Sequence, residues 1–223
     1  MSTYTQADRL LSATTPLGPD ALLLTAFAGE EGLSRLFRYE LEFLSEKDSI
    51  PAKDVVGKPV GWGVHHAVSG DDVRRPFHGV VARFTAGPLK FRGLRSYRAE
   101  VVPWLWLLTR TADCRIFQNK STPDIVRAVF DDLGFSDYEF LLQGSYPARE
   151  YCVQYRETAF QFVSRLLEQE GIFYFFRHAE DKHTLVLADH KGAYAPLPGG
   201  AVPYAEGTLA RNHVASWERR YAF

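Results

Sequence analysis

The sequence predicts an α+β fold, and three observations carry that prediction. From Arg35 to Leu44 apolar and charged residues alternate, the mark of a strand with one buried face and one wet face. Four more segments suited to strands lie before Pro103, set apart by Gly and Pro. After Pro103 two segments carry apolar residues at helical spacing, and both open on residues that cap helices.

The first strand spans Ala21–Gly29 and is apolar throughout most of its length. In Arg35–Leu44, Phe37, Tyr39, Leu41 and Phe43 share one face, and Arg38, Glu40 and Glu42 the other. Val60, Trp62 and Val64 repeat the pattern after Gly57-Lys58-Pro59. Phe77–Thr85 and Leu94–Val102 complete a set of five, with Tyr97, Ala99 and Val101 on one face of the last. Such a set fits a small antiparallel barrel or sandwich.

The first predicted helix has Ser121 or Thr122 as its cap and Pro123 in the first turn. Asp124 sits near the positive end of its dipole. Ile125, Val126, Val129, Phe130 and Leu133 form the stripe, and Gly134 ends it. The second has Thr158 and Gln161 at capping-box spacing, the stripe Phe162, Val163, Leu166 and Leu167, and Gly171 as its stop. Strands are predicted at Tyr138–Leu142 and Tyr151–Tyr155. Two more, Ile172–Arg177 and Thr184–Ala188, are joined by a polar turn at Ala179–Lys182. Pro196–Gly207 reads as a loop and Val214–Tyr221 as a last strand. The texture changes near residues 103–112, which divides the chain into a first domain, 1–110, and a second, 111–223.

The 223 residues can bury a core without a disulfide or metal staple. A net charge of -1 gives no electrostatic reason to expect nucleic acid or an anionic membrane. Two cysteines, Cys114 and Cys152, are too few for a secreted disulfide scaffold and read as reduced thiols. No basic region followed by an apolar run opens the sequence, and no apolar stretch is long enough to span a bilayer. The expectation is a chain made in the cytoplasm, with no membrane anchor.

The search for chemistry predicts no catalytic, cofactor-binding or metal site. His65 and His66 are adjacent on a strand and point to opposite faces, so they cannot share one metal. His178 and His183 bracket the polar turn and can face each other across a hairpin, with Asp181, Asp189 and His190 nearby in sequence. Spacing supplies no third ligand for a zinc or nickel ion there. Glu157, Glu168 and Glu170 flank the second helix, and Asp131 and Asp132 end the first. A carboxylate-dependent cell-wall hydrolase would need two of these facing each other, whereas solvated helix charges explain them more simply. Neither a phosphate-binding glycine loop nor a nucleophile elbow is present. The run Phe173–Phe176 reads as a central strand buried on both faces. Pro103–Leu108 reads as a short buried turn or a subunit contact.

Several of these stretches have a familiar form. Phe27-Ala28-Gly29-Glu30-Glu31-Gly32-Leu33-Ser34-Arg35-Leu36-Phe37 and Phe77-His78-Gly79-Val80-Val81 resemble the N-terminal signatures of the VgrG family. So do Val102–Leu108, Cys114–Ser121 and, most specifically, the run from Tyr151 to Phe176. The resemblance covers the chain from about residue 20 to its end. It implies a phage baseplate-hub-like head of two small β-barrels with helical insertions, the second incomplete at Phe223. It further implies a homotrimeric structural subunit of a type VI secretion spike, without cofactors, that docks on a hexameric Hcp-type tube. The family's PAAR-type tip protein and effectors would engage parts beyond this chain. Secretion would run through the apparatus without a signal peptide. A contractile phage tail hub shares the same features and is the nearest alternative.

Overall fold

The computed structural model describes residues 4–7, 9–68 and 71–195. The expected loop at Pro196–Gly207 and strand at Val214–Tyr221 lie outside the described residues.

The first half is one antiparallel sheet of six strands: β1 (Leu11–Thr14), β2 (Leu23–Glu30), β3 (Arg38–Ser45), β4 (Pro59–Val68), β5 (Asp71–Leu89) and β6 (Arg95–Val102). Their order is β1-β4-β5-β6-β3-β2. The alternation in β3 holds as expected: Tyr39, Leu41 and Phe43 are buried, while Arg38, Glu40 and Glu42 face water. The wet face carries a charge ladder, in which Arg98 pairs with Glu40 and Glu42, and Arg38 with Glu100. Bulges in β5 between Val81 and Arg83 and between Ala86 and Leu89 let that long strand bend.

The sheet curls until its two edges come together, and a side chain closes the seam. Gln6 Oε1 accepts the backbone N–H of both Ala13 on β1 and Leu24 on β2, each at 3.0 Å. Gln6 Nε2 donates to the Ala13 carbonyl at 3.2 Å. The carboxamide therefore stands in for ladder bonds that β1 and β2 do not make with each other. Inside the curl lie Leu22, Leu24, Phe37, Leu41, Phe43, Val60 and Val101, together with Trp62 stacked on Phe77 at 5.5 Å.

Pro103 separates this core from a second one. The 3-10 helix Trp104–Arg110 sends Trp104, Leu105 and Leu108 into the second core, so the stretch is a buried turn. β7 (Ala112–Lys120) pairs with β9 (Arg149–Thr158) as an antiparallel ribbon. Helix α1 (Thr122–Asp132) is capped by Ser121, and α2 (Ala159–Glu170) by Thr158 in a full capping box with Gln161. Gly171 adopts the left-handed conformation that ends α2 (φ 70). Leu133 does not join the apolar stripe; it caps α1 and is 36% exposed.

β8 (Tyr138–Leu141), β10 (Phe173–His178) and β11 (His183–Ala188) form a three-stranded sheet in the order β10-β11-β8. β8 runs parallel to β11. One expectation changes here. The central strand is β11, whose Leu185–Ala188 are fully buried, and the aromatic run Phe173–Phe176 is an edge strand. It is nonetheless apolar because Tyr174 packs into the second core while Phe176 packs against both, meeting Phe37 edge-on at 5.0 Å. Residues through Asp189 belong to one compact unit. A second begins at His190, and its described part contains the short 3-10 turn Lys191–Ala193. No helix among the described residues is long and apolar enough to cross a membrane.

Candidate functional site

The densest concentration of polar chemistry lies where hairpin β10–β11 meets the first sheet. Strand alternation turns Phe77 into the first core, and its neighbour His78 to the opposite side, toward the hairpin. As the turn at Ala179–Lys182 predicts, His178 and His183 are register partners across the hairpin. The structure adds His78, which sequence spacing did not single out. His78 Nδ1 lies 2.9 Å from His183 Nδ1. Gly61 on β4 makes room for this approach: a Cβ there would stand 2.6 Å from the Glu180 carbonyl oxygen.

The donors determine where the protons sit. The Trp104 backbone N–H donates to His183 Nε2 at 2.9 Å, so the His183 proton is on Nδ1 and is shared toward His78 Nδ1. The His78 N–H donates to His178 Nδ1 at 3.0 Å, and His178 Nε2 reaches Glu31 Oε1 at 2.7 Å. Tyr39 donates its hydroxyl to the same Glu31 oxygen at 2.6 Å. Burial opposes the charge on Glu31, but the hydrogen bonds from His178 and Tyr39 prevail and hold its carboxyl below the ordinary range. Burial, and then the bond to Glu31, push Tyr39 well up. Burial and the neighbouring His78 and His178 push His183 down to about 3. His78 is also lowered, by burial first and then by His178.

The hydrogen bonds of His178 and His183 bear on the metal site that sequence spacing left open. Both ring nitrogens of each are already engaged. No group of three or more potential ligands is poised for a metal ion among the described residues. Asp189 turns elsewhere, accepting the N–H groups of Gln143 and Gly144 and the Tyr146 hydroxyl. His65 meets Ser12 across β1 and β4 at 2.9 Å.

Of the five carboxylates near the helices, Glu168 is exposed and the other four are held by partners of their own. Glu157 is gripped by Arg165 through both oxygens. Glu170 binds Arg149 and Thr122, and Asp131 accepts from Tyr138. Asp132 pairs with Arg115 at 2.8 Å. The bond from Arg149 lowers the Glu170 carboxyl against the opposing effect of burial, which is the wrong direction for a general acid.

The aromatic residues divide between core and surface. Trp104 is core, stacked on Phe135 at 4.6 Å. The outer face of the β7–β9 ribbon was not foreseen: Ile116, Tyr151 and Tyr155 are exposed there, beside the free thiol of Cys114. The inner face carries Phe117, Cys152 and Gln154, all buried.

With this geometry in hand, comparison with known proteins is direct. A family model described as phage tail baseplate hub (GPD) matches residues 30–223. The chain is 50% identical over 220 residues to the type VI secretion system spike protein VgrG1a of Pseudomonas aeruginosa, covering 96% of this chain and 33% of that protein. It is 31% identical over 218 residues to the actin cross-linking toxin VgrG1 of Vibrio cholerae, covering 89% of this chain and 20% of that one. It thus spans about a third or less of these relatives. Among solved structures, the E. coli c3393 protein superposes with a TM-score of 0.73 at 27% identity, over 87% of this chain and 56% of that one. That protein is described as a type VI secretion component with structural similarity to the T4 bacteriophage tail proteins gp27 and gp5. A tail protein from Neisseria meningitidis shares the fold at a TM-score of 0.55 and 13% identity, over 84% of this chain and 52% of that one. The curled six-stranded sheet, the capped helices and the match over residues 30–223 lead to one assignment: the chain belongs to the phage tail baseplate hub (GPD) family.

Proposed function

We propose that this chain is the head of a type VI secretion spike: a structural subunit that assembles as a homotrimer, docks on a hexameric Hcp-type tube and helps deliver effectors. The carrying observation is the 50% identity along 96% of the chain to a protein named as such a spike. Two domains, 1–110 and 111–223, would present two similar faces per subunit, so that three subunits meet a ring of six. The two hydrophobic cores support a two-domain reading, with the change of core at Pro103, since Trp104, Leu105 and Leu108 pack into the second core. A PAAR-type tip protein and effectors would engage the part of the relatives that this chain does not span. The protein would assemble in the cytoplasm and leave through the apparatus itself.

On this reading the chain carries no catalysis, metal or cofactor; its work is to transmit force. The ion-paired state of Glu157 and Glu170 favours this over a cell-wall hydrolase. Mixing the purified chain with a hexameric tube protein tests the docking. Co-elution at three chains per ring is expected, and separate elution at every ratio would contradict it. Peptidoglycan cleavage by the chain, lost in Glu157→Gln, would overturn the non-catalytic reading.

A further inference from the structure

We propose that the His78–His183 contact is a proton-operated clasp between the first sheet and the β10–β11 hairpin, closed while both imidazoles are neutral and opened by one added proton. The bond pattern requires it. His183 Nε2 is an acceptor for the Trp104 N–H and His183 Nδ1 is the donor to His78 Nδ1. A second proton on His183 would put an N–H against the Trp104 N–H. A second proton on His78 would set two N–H groups against each other at 2.9 Å. The first loses the bond that seats His183 on Trp104, the second loses the bond between the two halves, and each leaves a charge in a buried place. Burial works in the same direction, since both rings are held below the ordinary histidine range.

The neighbouring contact has the opposite response. His178 keeps Nε2 on Glu31, and its Nδ1, which accepts the His78 N–H, also lies 3.1 Å from the His78 carbonyl oxygen, an acceptor that the His78–His183 contact lacks. The surrounding charges are mixed. Glu31, Tyr39, Arg74 and Arg75 face the cluster from the first sheet and the loop after β2. His178, Glu180, Asp181 and Lys182 come from the hairpin, and Asp137 from the segment before β8. Asp137 and Asp181 favour a proton on His78, but less than burial and His178 disfavour it. Protons have a route in, because His78 and His183 line an open cleft of about 270 Å³ with Trp104, Asp137 and Asp181.

The sign follows from these directions. Histidines whose native proton affinity is depressed stabilise the closed form above the ordinary value near 6.5, and that contribution drains away as pH falls below it. The Trp104 amide is the reporter, since His183 is its acceptor. Its hydrogen-exchange protection, corrected for intrinsic rate, is expected to fall roughly tenfold or more between pH 7.5 and 5.5. The double variant His78→Gln, His183→Gln keeps a carbonyl for the Trp104 N–H and an N–H-to-carbonyl bond between the two side chains without titrating, and should flatten the dependence to within about twofold. An unchanged wild-type protection, or an equal loss in the double variant, would overturn the clasp. Should the variant fail to fold, imidazole nitrogen NMR of the wild type decides. A His183 proton on Nδ1 at pH 7.5, with charging coupled to loss of Trp104 protection, supports the proposal. Charging of both rings near 6.5 with protection intact refutes it.

Discussion

Tyr39 lies across Gly29 on the neighbouring strand, so closely that a Cβ on Gly29 would stand 2.1 Å from the ring. The ring has nowhere to retreat. Trp62 meets it edge-on at 5.0 Å, and Phe37 and Phe77 pack at 5.7 and 5.5 Å. The aromatic covers the backbone that glycine leaves bare on the edge strand β2. Its hydroxyl then reaches Glu31, and through Glu31 the hairpin residue His178. Gly29→Ala should therefore destabilise the chain by about 1–3 kcal/mol through overpacking. Denaturant melts of the two proteins check the size of the loss.

Gln6 holds the first sheet shut with one carboxamide. Removing it strands the Leu24 N–H in a buried place and frees the β1 edge at Ala13. Gln6→Ala should cost about 1–3 kcal/mol. Hydrogen exchange at Leu24 should accelerate more than at β6 amides such as Ala99, which lie at the middle of the sheet.

The capping box at Thr158 joins ribbon β7–β9 to α2. Thr158 Oγ1 accepts the Gln161 N–H at 3.1 Å, and Gln161 Oε1 accepts the Thr158 N–H at 2.9 Å. Thr158→Ala should lower stability by about 1 kcal/mol, and Thr158→Ser by much less. Thermal melts of both variants distinguish loss of the cap from loss of the methyl group.

Glu170 ties the end of α2 to Arg149 and Thr122. The bond from Arg149 holds its carboxyl below the ordinary 4.5, so the native state binds fewer protons than the unfolded one there. The resulting stability is present above about pH 4.5 and disappears as pH falls below it. Glu170→Gln should cost about 1–2 kcal/mol at pH 7. The gap between the two proteins should narrow as pH falls below 4.5, which melts across that range will test.

Local pattern made most elements readable. Phe37, Tyr39, Leu41 and Phe43 declare β3 by strict alternation, and Ser121 with Pro123 and Thr158 with Gln161 declare the helix starts. β7 was invisible for a physical reason. Its outer face holds Ile116 and Cys114 in water while Arg115 shares the inner face with Phe117, so no apolar alternation exists to be read. β1 is short, and a side chain rather than a ladder links it to β2. The aromatic run Phe173–Phe176 misled because a strand squeezed between two cores looks like one at the centre of a sheet.

The junction was only half legible. The turn at Ala179–Lys182 brings His178 opposite His183, a local relationship. His78 arrives from 105 residues away through the packing of one half of the chain on the other, and no spacing rule encodes that. Gly61 and Gly79 are its traces in the sequence. A Cβ at Gly61 would meet the hairpin turn, and one at Gly79 would stand 2.4 Å from Val101.

The central claim is that this is a self-assembling hub subunit, and its mass in solution tests that most directly. Light scattering after size exclusion, over a range of concentrations, should find a species near three chains of 25.3 kDa, about 76 kDa, that grows with concentration. A mass of 25.3 kDa at every concentration would contradict the account.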